Sequence, residues 1–309
     1  MKVATKVRSE EIGDIYKFEA FMGPITKCTT NPPCKYCRRS SRDRTIFDDP
    51  LTLEEIKTAI GLIAKTGIKR VEIGGGTLWE GAGRKVIESV RIIRKITPNI
   101  KIRVNVGPAL TREDLLKLKE LNVEEVSSNF ETMNEQVFSN VKPGDSLKAR
   151  VELAKNIDSI GLKLSTTMMV GIGSTYEDYV KHMFWFKKNI KNLSRFAITG
   201  LRPIPGTPLE SKPMASPVEV AKIGAVARLI FRGVDVCFGG IMNDIRLLPL
   251  RVMAGENREI HLSVSVHRAW DYPTLSPSET SIYNMNRLRL VNNLPLITRI
   301  IKDLGLEPE

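Results

Sequence analysis

Hydrophobic and polar positions along the chain alternate between two kinds of segment. Short β-branched runs predict buried strands at residues 15–21, 68–75, 99–107, 123–131, 162–171, 195–203, 233–240 and 261–270. Longer segments with apolar residues at three-to-four spacing predict amphipathic helices at residues 51–67, 83–97, 111–122, 146–161, 175–190 and 216–231. Several of these helices begin with Thr or Ser near an acidic residue, as N-caps do. A strand-helix unit repeated in this way indicates an α/β protein with a parallel sheet.

The predicted strands are apolar on both faces, which favours a closed TIM-type (βα) barrel of six to eight strands over an open doubly wound sheet. Residues that follow the strands of a barrel share one rim, where active sites lie. The segments expected at this rim are residues 28–37, 74–76, 105–108, 129–131, 171–173, 202–206 and 239–243. No linker divides the chain, so we expect a barrel core at residues 1–240. Residues 241–309 would be a C-terminal extension, a lid and tail, that completes or covers it.

The chain carries a formal net charge of +12 with a pI near 9.5, which favours an acidic partner or substrate. Its Lys and Arg residues are spread along the sequence without a basic run that interleaves with aromatics, so nucleic acid is not expected as the partner. The sequence contains no uninterrupted run of 18 apolar residues and no signal-peptide pattern at its start. These features predict a cytoplasmic protein that is not inserted in a membrane.

Three of the four cysteines fall within ten positions, at Cys28, Cys34 and Cys37. A disulfide framework is not expected from this distribution, whereas metal or redox chemistry in a reducing compartment is. A structural zinc site would need a fourth ligand. Neither Cys237 nor any of the three histidines has the short paired spacing of zinc modules. A 4Fe-4S cluster held by three cysteines instead leaves one iron open to bind a small molecule.

This cysteine loop resembles that of the radical SAM superfamily, in which the open iron is chelated by the amino and carboxylate groups of S-adenosylmethionine (SAM). The spacing here is C-x5-C-x2-C, whereas C-x3-C-x2-C is usual in the family. Tyr36 matches the aromatic residue that commonly precedes the last cysteine. The resemblance therefore implies a 4Fe-4S cluster on Cys28, Cys34 and Cys37, with SAM as a second cofactor.

Other segments resemble SAM-binding motifs of the biotin-synthase-like branch, over roughly residues 15–240. By that resemblance, the backbone of the GGGT stretch would bind the methionine ammonium, although Gly76 replaces a frequent Glu. A second group would contact the ribose and the methionine end, and a third would lie on the adenine side. The residues implied are Gly74, Gly75 and Gly76 in the first group, Asn129, Glu131 and Arg150 in the second, and Gly171, Gly173, Pro203 and Gly206 in the third.

Biotin synthase carries an auxiliary 2Fe-2S cluster as its sulfur donor. Glu72, Arg103, Ser165 and Asp235 stand at the aligned strand positions here, and this set is not expected to hold such a cluster. Two relatives without those ligands are the archaeal two-component lipoyl synthases and the maturase of the guanylylpyridinol cofactor, which shares the C-x5-C-x2-C spacing. The resemblance thus implies SAM cleavage to a 5'-deoxyadenosyl radical for C–H activation in cofactor biosynthesis.

Sulfur insertion in lipoyl synthesis is the first expectation for the reaction. Its partners would be a small-molecule or carrier-bound acyl substrate, an acidic lipoyl-carrier domain, a second radical SAM subunit and a reducing electron donor. The alternatives are a maturase of the guanylylpyridinol type, a biotin synthase variant, a partner subunit that binds the cluster without turnover, and a zinc-stabilised binding protein. Cys237, His261 and His267 are expected to be ordinary buried or hydrogen-bonded residues, with a functional role for each left open.

Overall fold

The computed structural model of the protein describes residues 1–41, 48–266 and 281–309. The strands are β1 (Ile15–Gly23), β2 (Arg70–Gly74), β3 (Lys101–Asn105), β4 (Glu125–Ser127), β5 (Lys163–Val170), β6 (Leu193–Gly200), β7 (Asp235–Gly240), β8 (Arg258–Val266), β9 (Ser281–Met285), β10 (Leu288–Asn292) and β11 (Glu307–Pro308). The helices are α1 (Lys2–Glu11), α2 (Leu53–Ala64), α3 (Ala82–Ile96), α4 (Arg112–Glu120), α5 (Glu135–Val141), α6 (Leu147–Ser159), α7 (Tyr176–Asn189), α8 (Pro217–Ile230), α9 (Leu248–Met253) and α10 (Leu294–Asp303). Each predicted strand and helix has an observed counterpart, so the strand-helix repeat is confirmed.

The chain divides into two compact units, each assembled from separate stretches of sequence. The first unit contains the described residues of the ranges 1–15, 30–44 and 128–258. Within it, β5, β6 and β7 pair in parallel, with Thr167, Ala197 and Cys237 in register. Phe196, on the opposite face of β6, packs against aromatic side chains of α7 and of the residue that follows α8. The face that carries Cys237 is therefore turned away from these helices.

The second unit contains the described residues of the ranges 16–29, 45–127 and 259–309. Strands β1 to β4 are consecutive neighbours, and the pairs β1–β2, β2–β3 and β3–β4 are parallel. Strand β8 lies on the other side of β1 and continues into an antiparallel ribbon with β10 and β9. This order places the carboxyl ends of β1, β2 and β3 at one edge, where the glycine motif follows β2.

Three helices begin as their sequences predict. Thr52, Thr111 and Thr175 are N-caps whose side chains accept the backbone N–H of the acidic residue three positions later. In each case that acidic side chain accepts the N–H of the cap, which completes a capping box. These reciprocal bonds fix where α2, α4 and α7 start, and so where the preceding loops end.

Some elements were not anticipated from the pattern of apolar positions. Helices α1, α5, α9 and α10 lie outside the predicted helices. The segment expected to form a lid and tail, residues 241–309, contains α9, α10 and strands β8 to β11. The division into a core at residues 1–240 and an extension at 241–309 stays a prediction. Of the helices that the structure describes, none combines the length and apolar character that a membrane crossing requires.

His182 of α7 is buried in an aromatic cluster, with its ring stacked on Phe186 at 5.3 Å between centroids. Within the described residues, neither ring nitrogen has a hydrogen-bond partner. Burial lowers the pKa of His182 from its ordinary 6.5 to about 3. The folded protein therefore carries a neutral imidazole here at any pH above that value.

We expect the substitution His182→Phe to remove a pH-dependent loss of stability. Below pH 6.5 the unfolded chain binds a proton at this histidine, whereas the folded protein does not until about pH 3. The free energy of unfolding therefore falls as the pH is lowered from 6.5 to about 3. The stability of the variant relative to wild type should rise by about 2 kcal/mol between pH 7 and pH 5. Urea unfolding at the two pH values measures this, and parallel pH profiles would contradict it.

Candidate functional site

The part of the cysteine loop in the first unit is closed by short local hydrogen bonds. The backbone N–H of Cys37 donates to the carbonyl of Cys34 at 3.0 Å, which makes a tight turn between the two thiols. The hydroxyl of Ser40 donates to the carbonyl of Cys37 at 2.7 Å. A chain that turns in this way keeps the two half-buried cysteines on one short segment.

The same loop rests on the end of α5 and on the turn that follows it. The N–H of Lys35 donates to the carbonyl of Val141 at 2.8 Å, and its ammonium donates to Asn140 Oδ1 at 2.7 Å. Gly144 lies against the other end of the loop, where a Cβ would come within 2.3 Å of the Pro32 carbonyl oxygen. Only glycine permits this approach of two backbones.

Burial raises the pKa of the Cys34 thiol to about 12, although the positive charge of Lys142 opposes the rise. Burial also raises the pKa of the Tyr36 hydroxyl well above its usual range. In the absence of a metal Cys34 is therefore a neutral thiol, and binding a cationic centre would release its proton. Loading of this loop should for that reason be favoured by alkaline conditions.

Four buried charged side chains lie together beside Cys34, on the β4–α5 connection, the α5–α6 connection and helix α6. The ammonium of Lys142 is 2.6 Å from Glu131 Oε2 and 3.3 Å from Asp145 Oδ2. Arg150 Nε donates to both carboxylate oxygens of Asp145, each at 3.1 Å. Burial opposes the charge on Arg150, but Asp145 and Glu131 raise the pKa of this guanidinium. The cluster therefore brings two basic and two acidic side chains into contact with one another.

Glu131 and Asn129 are brought to this cluster by the end of the β4 segment. Glu131 has a φ of 62°, a left-handed conformation that is uncommon outside glycine and asparagine. Its N–H donates to the Thr167 carbonyl, and its own carbonyl accepts from Met169 N–H. Asn129 Oδ1 accepts the Thr167 hydroxyl at 3.1 Å. The structure thus brings three predicted SAM ligands, Asn129, Glu131 and Arg150, into one neighbourhood.

The residues predicted for the adenine side follow β5 and β6. Gly171 and Gly173 have φ values of 93° and 114°, which only glycine adopts without strain. The N–H of Gly171 donates to the Tyr179 hydroxyl at 3.4 Å. Gly206 closes a turn after Pro203, and its N–H donates to Glu210 Oε2 at 2.6 Å. Both loops contain glycines, whose main-chain groups are not covered by a side chain. The predicted contacts to adenine are of this main-chain kind.

In the second unit the glycine motif packs directly on Cys28. Gly76 N–H donates to the Thr26 carbonyl at 3.0 Å, and the Thr26 hydroxyl donates back to the Gly76 carbonyl at 2.8 Å. Gly75 N–H donates to the Asn105 carbonyl at 2.9 Å. A Cβ on Gly76 would lie 2.3 Å from Cys28 Cβ and 2.5 Å from its nitrogen. The bare backbone at this position therefore makes room for the cysteine.

We expect Gly76→Ala to displace Cys28, since no flexible side-chain end can move out of the way of the new Cβ. Overpacking of this kind costs about 1–3 kcal/mol of unfolding free energy. The iron content after anaerobic reconstitution should fall with it. Gly61→Ala is the matched control, because nothing lies within 4 Å of its Cβ in the middle of α2. Equal iron content and stability in the two variants would show that Gly76 is not needed for room.

A polar row crosses the sheet in each unit, at the positions aligned with the auxiliary-cluster ligands of biotin synthase. In the second unit, Arg103 binds Glu19 through two hydrogen bonds of 3.0 and 2.8 Å and also pairs with Glu72. Glu125 Oε2 lies 3.9 Å from Arg103 Nε. All four side chains are buried.

In the first unit, Ser165, Arg195 and Asp235 stand in register on β5, β6 and β7. Arg195 donates to the Ser165 hydroxyl at 3.3 Å, and Asp235 pairs with Arg258 at 3.3 Å. The aligned positions of both units therefore carry oxygen and guanidinium groups, and no thiol occurs among them.

The donor chemistry at the cysteine loop fits an iron-sulfur cluster. Cys28, Cys34 and Cys37 are half-buried, whereas Cys237 of β7 is fully buried. Among the residues that the structure describes, no three His, Cys, Asp or Glu side chains lie together in a geometry ready for a metal ion. The three-cysteine ligand set accordingly stays a prediction.

The sequence leaves the roles of His261 and His267 open, and the structure describes only the first of them. His261 of β8 lies 3.3 Å from the Tyr16 hydroxyl and stacks on the Tyr16 ring. His267 lies outside the described residues. No sequence motif predicts a role for Lys142 or Asp145. Their position between the motif residues Glu131 and Arg150 was the one signal that placed them near the site.

Comparisons with known proteins agree on one family. The family model described as the radical SAM superfamily matches residues 22–186. A protein of Methanocaldococcus jannaschii is 32% identical over 289 residues, which cover 91% of this chain and 72% of that protein. The biotin synthase of Carboxydothermus hydrogenoformans is 27% identical over 270 residues, which cover 82% and 79% of the two chains.

Two solved structures share the fold. Methylornithine synthase superposes with a TM-score of 0.77 at 21% identity and covers 99% of this chain and 87% of its own. The FeFe-hydrogenase maturase HydG from Carboxydothermus hydrogenoformans superposes with a TM-score of 0.78 at 19% identity, over 99% and 70% of the two chains. The predicted α/β fold of TIM-type barrel neighbours is thereby confirmed.

Proposed function

Because the chain belongs to the radical SAM superfamily, we propose that it inserts sulfur into a carrier-bound acyl chain in lipoyl synthesis, together with a second radical SAM subunit. The chain is a radical SAM enzyme whose cofactors are a 4Fe-4S cluster and SAM. The proposal adds the substrate, the carrier and the partner.

The observation that carries the proposal is that charged side chains in the two polar rows pair with one another. Biotin synthases are among the relatives of this chain, and sulfur insertion in that branch draws on a sulfur donor bound at the aligned positions. Arg103 with its carboxylates, and Asp235 with Arg258, already use their polar atoms on each other. A sulfur source therefore has to come from outside these rows, which supports a partner subunit.

The charge of the chain supports the acidic carrier. A formal charge of +12 gives a long-range attraction to acidic domains and raises the rate at which they associate at low ionic strength. Association driven in this way weakens as salt screens it, with a Debye length near 8 Å at about 0.15 M.

A bound cluster would supply the electron for reductive cleavage of SAM. Cys28, Cys34 and Cys37 would hold the cluster. Arg150, already paired with Asp145, would orient the methionine carboxylate. Gly171 and Gly173 have no side chains, so their main-chain groups would be accessible to the adenine. These residues bind and orient, and they keep the reacting carbon away from competing hydrogen donors.

The test is an anaerobic incubation of the reconstituted protein with SAM, a reductant, an octanoylated acidic carrier domain and the candidate second subunit. We expect the mass of the carrier to show two added sulfur atoms only when both subunits are present. The carrier without its octanoyl group is the matched control. Production of 5'-deoxyadenosine with an unmodified octanoyl carrier would overturn the lipoyl substrate and leave the radical SAM assignment intact.

A second candidate is maturation of another cofactor, of the guanylylpyridinol type. The C-x5-C-x2-C spacing of the cysteine loop favours it, because this spacing differs from the usual one in the same way as that of the maturase. The incubation described above separates the two candidates, since only the first predicts sulfur on the carrier.

A further inference from the structure

Lys142 is a lysine that is almost completely buried, with 2% of its surface exposed. Its ammonium reaches Glu131 Oε2 at 2.6 Å, Asp145 Oδ2 at 3.3 Å and the Asn129 carbonyl at 3.5 Å. It also lies 5.1 Å from the centre of the Phe138 ring. Every one of these contacts is to the neighbourhood that holds the predicted SAM ligands.

A buried ammonium is costly unless carboxylates and hydrogen bonds compensate for its lost hydration. Glu131 and Asp145 provide the compensation for Lys142, and Asp145 is shared with Arg150. Removing Lys142 would therefore leave two carboxylates, Glu131 and Asp145, with Arg150 as the one remaining cation of the cluster. The lysine sets the charge balance around Glu131.

The backbone of Glu131 adds a second reason for an anchor. Its left-handed φ of 62° costs free energy that the surrounding contacts have to offset. The main chain is held by its bonds to β5, and the carboxylate is held by Lys142. The direction in which the Glu131 side chain points is thus decided by the lysine.

Lys142 also lies within the segment that supports the cysteine loop. The neighbouring Asn140 and Val141 both bind Lys35, and Gly144 packs on Pro32. One short segment, residues 140–145, therefore contacts the cysteine loop through Asn140, Val141 and Gly144. The same segment contacts Glu131 through Lys142.

We propose that Lys142 is a positioning residue that holds Glu131 in the orientation needed to bind SAM and ties that orientation to the cysteine loop. The inference rests on the radical SAM part of the proposed function and is independent of the substrate. SAM binding to the reconstituted protein, measured without any substrate or partner, therefore tests it separately from the lipoyl hypothesis.

The variant Lys142→Met keeps the length of the side chain and removes its charge. We expect its dissociation constant for SAM to rise about ten-fold, in the range of couplings between residues in contact. Lys148→Met is the matched control, because the Lys148 side chain is 87% exposed and only pairs with Glu152 at 4.0 Å. An unchanged dissociation constant in a folded Lys142→Met protein would overturn the proposal.

A double-mutant cycle with Glu131→Gln decides whether Lys142 acts through Glu131. If it does, Lys142→Met should change SAM affinity little in the Glu131→Gln background, whereas two independent losses would sink the idea. The double variant also removes the unbalanced carboxylate, so it provides a folded protein if Lys142→Met alone unfolds. Thermal unfolding and iron content of all four proteins accompany the binding data, and loss of binding that only parallels loss of fold would count against a positioning role.

Discussion

Simultaneous replacement of Cys28, Cys34 and Cys37 by alanine is expected to reduce bound iron from about four per chain to background. Without thiolate ligands the loop has no soft donors for an iron-sulfur cluster, because the remaining nearby groups are ion-paired carboxylates and cations. Production of 5'-deoxyadenosine should fall by about three orders of magnitude or more. Iron analysis, the broad absorption of the cluster and a SAM-cleavage assay after anaerobic reconstitution measure these effects.

Cys237→Ala is the control for this experiment. Cys237 is fully buried and lies in register with Ala197 of β6, and it is not among the predicted ligands. The variant should keep its iron and its turnover. Retention of a full cluster by the triple variant, or loss of it in Cys237→Ala, would show that the ligand set has been assigned wrongly.

The variant Arg103→Met is expected to lose about 3–5 kcal/mol of unfolding free energy. Glu19, Glu72 and Glu125 all pair with the Arg103 guanidinium, and each of the four residues is at least 95% buried. Methionine fills much of the same volume, so the loss reports the uncompensated carboxylates rather than a cavity. Chemical unfolding at neutral pH, under conditions where the transition is reversible, gives the difference.

Arg84→Met tests the specificity of that result. Arg84 pairs with Glu88 at 3.4 Å, but its side chain is 88% exposed. A surface pair of this kind contributes little, so the variant should stay within about 0.5 kcal/mol of wild type. If Arg103→Met proved as mild as Arg84→Met, the buried row of the second unit would not be the stabilising feature that its geometry indicates.

Much of the fold follows from patterns that a single sequence displays. The β-branched runs and the three-to-four periodicity locate β1 to β8 and six of the helices, because burial on both faces or on one stripe leaves a clear signature. Helix α5 has only seven residues and α9 only six, too short for a periodic signal to stand out. Helix α10 begins with Leu-Pro and follows a ribbon that pairs with β8, so its place depends on tertiary contacts.

Some residues of the candidate site can likewise be predicted from the sequence, and others cannot. Cysteine spacing, glycine runs and the residues after each strand can be recognised because they resemble a family, and the structure brings Asn129, Glu131 and Arg150 together. The charged partners Lys142 and Asp145 could not be identified from spacing. Most lysines lie on the surface, and nothing in the sequence indicates that this one is buried against two carboxylates. Only the three-dimensional arrangement shows that four charges share one neighbourhood.

The different burial of the four sulfurs has a practical consequence for chemical labelling. Alkylating reagents attack the thiolate, so Cys34, whose pKa burial raises to about 12, should react slowly in the native protein. Cys237 has no exposed surface and should react only when the chain unfolds. Mass spectrometry of modified native protein can therefore follow occupancy of the loop, with Cys237 as an internal marker of unfolding.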